Sequence, residues 1–250
     1  MKQLKSQITL ITGVGRSIGI GASICREIAK NGGDIFFTYW NEYDQQMFPN
    51  TPTSDTQNIT NELKQYGVRV KSCELDLSNP KAANTLFKQA EASLGTPTIL
   101  INNACRDIEI PFTDLTPEIL DKHYAVNQRA VTMLCSEFTK RQNAGNIINL
   151  ISGQSLGSMG TNQISYTTTK AAVEMLAKQL APELSKLNIR INSIDPGPVN
   201  TGWMTENIKK EILKESSLGK ISLPEDTAQL IMSILLDKDK KTGQTIHAQR

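Results

Sequence analysis

The feature that most constrains the fold is a short apolar run near the N-terminus, followed by a glycine-rich turn and an amphipathic segment. Ile8–Thr12 has the length and composition of a strand, glycines recur through Gly13–Gly21, and an apolar stripe with helical spacing continues to Lys30. Glycines let a backbone approach a ligand closely, and a helix N-terminus attracts an anion. The pattern predicts a turn that binds the pyrophosphate of a dinucleotide, although the spacing is not GxGxxG and an ordinary strand-to-helix turn is the alternative.

Strands and helices alternate along the rest of the chain. Further apolar runs of strand length occur at 34–38, 68–75, 98–101, 147–151, 189–194 and 243–247. Helical patterns separate them, and neither a linker nor an internal repeat interrupts the order. This alternation predicts one α/β domain over residues 1–250, with a doubly wound parallel β-sheet and helices on both faces.

Two segments depart from this alternation. Residues 41–58 are polar and contain two prolines, which predicts a long loop. This loop either covers the adenine end of a cofactor or is mobile, and the second is the preferred interpretation; a helix over 59–66 follows it. The interrupted amphipathic run at 203–218 predicts one or two short helices that form a small lid over about 202–220.

Composition argues against several classes of protein. The chain has 250 residues, 38% of them hydrophobic, which is enough for a core without metals or disulfides. The net charge of +2 does not indicate nucleic-acid binding, and no apolar run approaches the length of a membrane span. Four scattered cysteines and only two histidines do not indicate a metal site. We therefore expect a reduced, cytoplasmic protein without a metal, a nucleic-acid partner or a membrane partner.

A candidate catalytic stretch runs from residue 146 to residue 172. An apolar strand delivers Ser152 at its end, and Tyr166 and Lys170 are four residues apart on the helix that follows, so they share one face. An ammonium beside a phenol lowers the pKa of the phenol, and a nearby hydroxyl can bind a carbonyl oxygen. These groups suit proton transfer to a ketone or from an alcohol. The Tyr-xxx-Lys pair by itself is a weak signal and also occurs by chance.

Polar residues follow other predicted strands. Asp76 could bond an adenine amino group, or Ser78 could cap the next helix. Asn103 and Ala104 follow the run at 98–101, where ligands bind in parallel sheets. Asn127 lies inside a predicted helix, where asparagine is unfavourable; it is either a satisfied core amide or a residue that kinks the helix and holds a water.

The end of the second strand bears on the choice of cofactor. Tyr39 and Trp40 stand where an acidic side chain would bind the ribose hydroxyls of NAD, and Arg16 lies in the glycine-rich turn. Both features favour NADP(H). Glu42 and Asp44 lie close in sequence, and if they fold back NAD(H) becomes the cofactor.

Taken together, several motifs resemble one family. They are TGVGRSIG at 12–19, Asp76-Leu77, NNA at 102–104, Asn127, Ser152, YTTTK at 166–170, and Pro196-Gly197 with Thr201. In this order and at these spacings, the chain resembles the short-chain dehydrogenases/reductases along nearly its whole length. It looks closest to bacterial members labelled 3-oxoacyl-carrier-protein reductase-like. The resemblance implies a single-domain Rossmann fold and hydride transfer between a nicotinamide and a carbonyl or secondary alcohol.

The resemblance also implies a catalytic role for four residues. Tyr166 would be the acid/base, and Lys170 would bind the nicotinamide ribose and lower the pKa of Tyr166. Ser152 would hold the substrate oxygen, and Asn127 would anchor a water in a proton relay to Lys170.

The cofactor would be held by residues from several of the matched motifs. The resemblance places Gly13, Arg16, Ser17, Ile18 and Gly19 around the pyrophosphate and adenosine ribose, and Asp76, Leu77, Asn103 and Ala104 around adenosine. It places Pro196, Gly197, Val199 and Thr201 near the nicotinamide. Tyr39 and Trp40, at the end of the second strand, would lie where the ribose hydroxyls of NAD or the extra phosphate of NADP bind.

The chain departs from the family pattern at three places. Ser17 and Cys105 stand where the family has glycine, and the C-terminus at 247–250 lacks the Gly-Gly tail that often packs at a subunit interface. The resemblance implies a homotetramer or homodimer built on the helices around 115–140 and 167–185. The substrate would be a small-molecule or acyl-thioester carbonyl. The basic residues that could meet an acidic carrier protein are Arg129, Lys209, Lys210, Lys214 and Lys220.

Two alternatives stay open at the level of sequence. The first is an NAD-dependent sugar or polyol dehydrogenase, which the end of the second strand would distinguish. The second is a non-catalytic nucleotide-sensing regulator, since a dinucleotide-binding fold does not determine activity.

Overall fold

The apolar runs form a seven-stranded parallel sheet within the described residues of this computed structural model, which are 2–156, 161–215, 219–239 and 241–248. The strands are β1 (Ile8–Thr12), β2 (Asp34–Tyr39), β3 (Val70–Glu74), β4 (Ile99–Asn102), β5 (Gly145–Leu150), β6 (Ile189–Asp195) and β7 (Thr245–His247). Their order is β3-β2-β1-β4-β5-β6-β7, and each neighbouring pair is parallel. The winding direction reverses between β1 and β4, which confirms the predicted doubly wound parallel sheet.

Helices connect the strands. In the same residues they are α1 (Ile20–Lys30), α2 (Asn41–Met47), α3 (Asp55–Lys64), α4 (Ala82–Ser93), α5 (Pro117–Tyr124), α6 (Val131–Arg141), α7 (Ile164–Lys186), α8 (Glu206–Glu215) and α9 (Pro224–Leu235). A π-helical turn, Ala125–Ala130, joins α5 to α6. The helix that carries Tyr166 and Lys170 is therefore α7.

Each face of the sheet has its own hydrophobic core. One core packs α4, α6 and α7 on the sheet through Leu86, Phe87, Leu134, Phe138 and Val173. The other packs α1, α3 and α9 through Ile24, Ile28, Ile59, Leu63 and Ile231. Successive strand residues feed opposite cores, because side chains alternate across a strand. Both faces are thus covered, as the near-continuous apolar strands predict.

The prediction of a mobile loop over 41–58 is wrong for most of that segment. α2 occupies 41–47, and α3 begins at Asp55, ahead of the predicted start at residue 59. No residue of α2 is buried, so its sequence lacks the apolar stripe that would reveal a helix. Contacts made by Tyr43, Asp44 and the following Phe48 across the cleft described below hold the segment in place.

Within the predicted lid, α8 is one helix, and residues 216–218 lie outside the described part of the chain. In the described residues, no helix combines the length and the apolar character that crossing a membrane requires. The same residues contain no group of three or more His, Cys, Asp or Glu side chains that could hold a metal ion.

Candidate active site

The carboxyl ends of the central strands open into one cleft of about 1940 Å³. Pockets for a single small ligand are commonly roughly 300–1,000 Å³, so this cleft has room for a dinucleotide together with a substrate. The predicted site residues that line it are Gly13, Arg16, Gly19, Tyr39, Trp40, Asp76, Leu77, Asn103, Ala104, Ser152, Tyr166, Lys170, Pro196, Gly197, Val199 and Thr201. Ser17, Ile18 and Asn127 were also predicted and lie outside its lining.

Three polar side chains meet where β5 ends and α7 begins. The Ser152 hydroxyl lies close enough to the Tyr166 hydroxyl to lower its pKa. The Lys170 ammonium donates to the backbone oxygen of Leu150 at 2.7 Å and lies 5.7 Å from the centroid of the Tyr166 ring. Lys170 is 4% exposed, so its long side chain runs through the core to reach the cleft. The strand end and one face of the helix thus bring together the residues that the sequence pattern singled out.

The protonation of this centre differs from the sequence expectation. Burial, helped by Cys105 and Asp107, raises the pKa of Tyr166 well above its usual value, and the nearby Ser152 hydroxyl only partly opposes this. Burial lowers the pKa of Lys170. Burial therefore moves the Tyr166 pKa in the direction opposite to the lowering expected from Lys170, and the contribution of Lys170 itself stays a prediction. The phenol is protonated at neutral pH.

Asn127 lies in the π-helical turn and is 1% exposed. Its Oδ1 accepts from the backbone N–H of Arg106 at 2.7 Å, and its Nδ2 donates to the Arg106 oxygen at 2.8 Å and to Thr169 Oγ1 at 3.1 Å. It is therefore a satisfied core amide in a distorted helix, and the water of the second interpretation stays a prediction. Its bonds join the segment after β4 to the catalytic helix α7.

The turns after β1 and β4 are locked against each other. The Asn103 amide donates to the backbone oxygens of Thr12 and Gly13, each at 2.9 Å, and Thr12 Oγ1 accepts from the N–H groups of Asn103 and Ala104, each at 3.1 Å. Gly13 has φ +75°, and a Cβ there would lie 2.6 Å from the Cα of Ala104. Only glycine fits this position. The close approach leaves the glycine-rich backbone open to the cleft.

The turn tolerates Ser17 where the family has glycine. Positive φ among the described non-glycine residues occurs only at Ser6 and Asn188, so the Cβ of Ser17 adds no left-handed strain. The N–H of Ser17 donates to Asp55 Oδ2 at 2.7 Å, and its oxygen accepts from Arg26 Nη1 at 2.8 Å. Asp55 lies in the first turn of α3 and is 8% exposed. The sequence did not predict it as a site residue, because the predicted helix begins four residues later, at residue 59.

Arg16 and Asp44 meet beside the glycine-rich turn. The guanidinium carbon of Arg16 lies 3.4 Å from the Phe48 ring centroid, and Nη1 donates to the Thr201 oxygen at 3.0 Å. A Cβ on Gly15 would lie 1.7 Å from Asp44 Oδ2, so the carboxylate fills the space that the glycine leaves. Burial raises the pKa of Asp44 to about 6, against the opposite effect of Arg16. Arg16, which favours NADP(H), and Asp44, which favours NAD(H), therefore both lie beside the glycine-rich turn.

Asp76 lines the cleft at the end of β3, and its oxygens accept from the N–H of Ser78 at 2.8 Å and its hydroxyl at 2.6 Å. The alternative that Ser78 caps the next helix is wrong, because α4 has Lys81 at its N-cap without a side-chain bond. The serine hydroxyl is instead used to orient the carboxylate of Asp76.

A second group of residues in the cleft was not predicted. Asp195 Oδ2 contacts His247 Nδ1 at 2.9 Å, and Oδ1 accepts from the N–H of Gly197 at 2.9 Å. A Cβ on Gly153 would lie 2.2 Å from Asp195 Oδ2, so the segment after Ser152 rests on this carboxylate. Asp195 directly precedes the Pro196-Gly197 motif in the sequence, and this position is the signal from which its place in the site could have been predicted.

The cleft contains a further acidic side chain, Asp107. Asp107 lies after the β4 turn, and burial, together with the charge of Glu109, raises the pKa of its carboxyl to about 6.

A buried phenol beside a serine hydroxyl and a lysine, in one cleft with a glycine-rich turn at a strand-to-helix junction, suits hydride and proton transfer with a bound nicotinamide dinucleotide. A dinucleotide fits these residues, because the glycine-rich turn at Gly13 and Gly19 and the polar groups of Tyr166 and Lys170 line the same cleft of about 1940 Å³. The fold and site thus define an NAD(P)-dependent oxidoreductase.

A family model described as short chain dehydrogenase matches residues 7–212. The chain therefore belongs to the short-chain dehydrogenase family. Over 255 residues it is 36% identical to the uncharacterized oxidoreductase YjdA of Bacillus subtilis (strain 168), covering 100% of this chain and 98% of the relative. It is 29% identical to NADPH-dependent aldehyde reductase 2, chloroplastic, of Arabidopsis thaliana, covering 98% and 92%.

The fold is also found in a solved structure. The blue fluorescent protein from a metagenomic library, in complex with NADPH, superimposes with a TM-score of 0.87 at 25% identity. The match covers 98% of this chain and 97% of that one. The similarity therefore extends over the sheet and both helical layers.

Proposed function

We propose that this protein is an NADP(H)-dependent reductase of ketones or aldehydes that works as a single domain. The observation that carries the proposal is that Tyr166, Ser152 and buried Lys170 lie together in one cleft with the glycine-rich turn. When bound, the nicotinamide supplies the hydride chemistry. The roles of the chain's own residues follow from where they lie.

Tyr166 is the proton donor in this proposal. Because its pKa is raised, the phenol is protonated at neutral pH and can give its proton to the carbonyl oxygen of the substrate. Ser152 donates a second hydrogen bond to the same oxygen as negative charge develops there. Lys170 then stabilises the phenolate that is left, from its position beside the ring. A protonated phenol favours the direction of reduction.

Asn127 has a positioning role in the same proposal. Its bonds to both backbone groups of Arg106 and to Thr169 hold the segment after β4 at a constant distance from α7. The backbone at this point would also anchor the water of a proton relay that ends at Lys170.

The preference for NADP(H) rests on Arg16. No carboxylate follows β2 directly, and a guanidinium in the first turn can bind the 2′-phosphate of NADP. The relative from Arabidopsis thaliana and the fluorescent protein carry NADPH in their names, which agrees with this choice. Asp44 works against it, since a carboxylate repels a phosphate.

We expect an Arg16→Ala variant to bind NADPH about 10- to 100-fold more weakly, because hydrogen bonds to charged groups contribute ~1.5–3 kcal/mol. NADH binding should change little. Fluorescence titration of both cofactors on the same sample measures this. Arg69→Ala is the matched control, because Arg69 pairs with Asp34 on an exposed surface and should change neither titration. Equal loss of both cofactors would contradict the role of Arg16.

A second candidate function is an NAD-dependent sugar or polyol dehydrogenase. The specific observation in its favour is the Asp44 carboxylate against Gly15, where it could accept bonds from ribose hydroxyls. In that case the wild type would bind NADH more tightly than NADPH, and Asp44→Asn would weaken NADH binding. The same titration therefore separates the two functions.

The narrower version, a 3-oxoacyl-carrier-protein reductase, receives less support from the basic residues. Arg129 donates to the Ser78 oxygen, Lys209 pairs with Glu206, and Lys220 pairs with Asp226. Lys210 and Lys214 are exposed on α8. Turnover of a 3-oxoacyl thioester is the direct measurement for this version.

We also propose a homodimer or homotetramer that acts in the cytoplasm. Met133 on α6 and Met175 on α7 are 39% and 53% exposed, so the two helices present apolar surface outside the core. All four cysteines are free, which agrees with a reducing compartment. A monomer in light scattering would contradict the assembly.

A further inference from the structure

Asp107 is a carboxylate inside the cleft that the mechanism above does not use. It follows the β4 turn and lines the same cleft as Tyr166 and Lys170. Its charge acts on both of those groups and raises the pKa of each. The N–H of Asp107 donates to the Tyr43 hydroxyl at 3.0 Å, so the backbone at this point is held by α2.

A chain of hydrogen bonds orients this carboxylate. Thr167 Oγ1 donates to Gln154 Oε1, and Gln154 Nε2 donates to Gln163 Oε1 at 2.5 Å. Gln163 Nε2 then donates to the Asp107 oxygens at 3.0 and 3.3 Å. In this series of hydrogen bonds each glutamine accepts through its oxygen and donates through its nitrogen, and the last acceptor is the carboxylate of Asp107. These four side chains, Thr167, Gln154, Gln163 and Asp107, form what we name the polar wall.

The carboxylate of Asp107, at the end of the polar wall, can accept further hydrogen bonds. An ionised carboxylate has about four lone-pair sites, and the bonds from Gln163 use only part of them. A substrate group that donates a hydrogen bond can use the rest, whereas an apolar group in the same place would leave these remaining sites of a partly desolvated carboxylate unsatisfied. A site built in this way discriminates strongly against analogues that lack the donor.

We propose that Asp107 selects substrates that carry a hydroxyl or amino group next to the reacting carbonyl, so that the substrate class is the α-hydroxyketones and α-aminoketones. This inference rests on the proposed carbonyl reductase. The carbonyl carbon receives the hydride of NADPH, which leaves as NADP⁺, and the carbonyl oxygen takes the proton of Tyr166. The neighbouring hydroxyl or ammonium donates to Asp107 and takes no part in the electron balance.

The test uses two ketones of equal heavy-atom count, 1-hydroxypropan-2-one and butan-2-one, with NADPH and the full chain. In the wild type we expect kcat/KM to favour the hydroxyketone about 10- to 100-fold, mainly through KM. Asp107→Leu should remove this ratio, and Asp107→Asn, which keeps the size and one acceptor, should give an intermediate value. Exposed Asp121→Asn is the control, because Asp121 lies outside the lining of the cleft, and it should keep the wild-type ratio.

Three results would overturn the inference. The first is a wild-type ratio near one, the second is a ratio that survives Asp107→Leu, and the third is a higher kcat/KM for an acetoacetyl thioester than for the hydroxyketone. Failure of the proposed function looks different, because no ketone would then be reduced. Saturation-transfer NMR of the two ketones with the NADPH-loaded protein would still decide the inference, since selective binding of the hydroxyketone that Asp107→Leu removes supports it and equal binding overturns it.

Discussion

A Tyr166→Phe variant is expected to lose about 10²–10⁴-fold in kcat, because it removes the group that donates the proton to the carbonyl oxygen. The substitution deletes one oxygen from a buried ring, and Ser152 Oγ keeps its bond from the N–H of Gln154. NADPH oxidation in the presence of the best ketone substrate is the measurement. NADPH affinity should stay within a few-fold of the wild type, so that the loss appears in kcat.

Tyr124→Phe is the matched control for this experiment. Tyr124 ends α5 and is 46% exposed, so loss of its hydroxyl should leave kcat unchanged. Full activity in Tyr166→Phe would disprove the proposed mechanism. Measurable turnover by the wild type would in turn exclude a purely regulatory, non-catalytic protein.

The second large effect is expected at Gly13. In Gly13→Ala, the new Cβ meets the Ala104 backbone at 2.6 Å and the residue keeps a left-handed φ of +75°. The conformational strain is about 1–2 kcal/mol and the overpacking about 1–3 kcal/mol, so we expect a destabilisation of about 3 kcal/mol in urea unfolding. Separation of the β1 and β4 turns should also weaken NADPH binding at least 100-fold, because both turns line the cofactor end of the cleft.

Gly67→Ala isolates the contribution of the clash. Gly67 has φ +77° and nothing within 4 Å of the added Cβ, so it carries the same backbone strain without the collision. We expect it to cost about 1 kcal/mol and to leave NADPH affinity unchanged. Equal effects of the two substitutions would show that the close approach of the β1 and β4 turns has no importance for binding.

The catalytic residues were predictable because each belongs to a local pattern. Ser152 ends an apolar run, and Tyr166 and Lys170 are spaced by one helical turn, so short-range geometry alone brings the last two together. The parallel sheet brings Ser152 and the glycine-rich turn to the same site, since alternating strands and helices predict a parallel sheet and the carboxyl ends of its strands lie at one edge. The glycine-rich turn and the NNA segment are likewise local signals at strand ends.

The covering of the cleft was not predictable in this way. α2 has no buried stripe, and its register is set by Tyr43 on the segment after β4 and by Asp44 against Gly15. The partners of each are far away in sequence, so no window of neighbouring residues contains the information. The same holds for Asp55 at Ser17 and for the Asp195–His247 pair, whose members are separated by 38 and 52 residues.

The protonation of the centre also depended on the whole fold. The spacing of Tyr166 and Lys170 correctly predicts that they are neighbours, but it does not predict that burial raises the pKa of the phenol, because burial is a property of the surrounding layers. The sequence by itself determined the doubly wound sheet, since hydrophobic periodicity and turn residues act over a few residues. Only the tertiary structure decided desolvation, the placement of α2 and the polar wall at Asp107, because each arises from groups that long-range packing brings together.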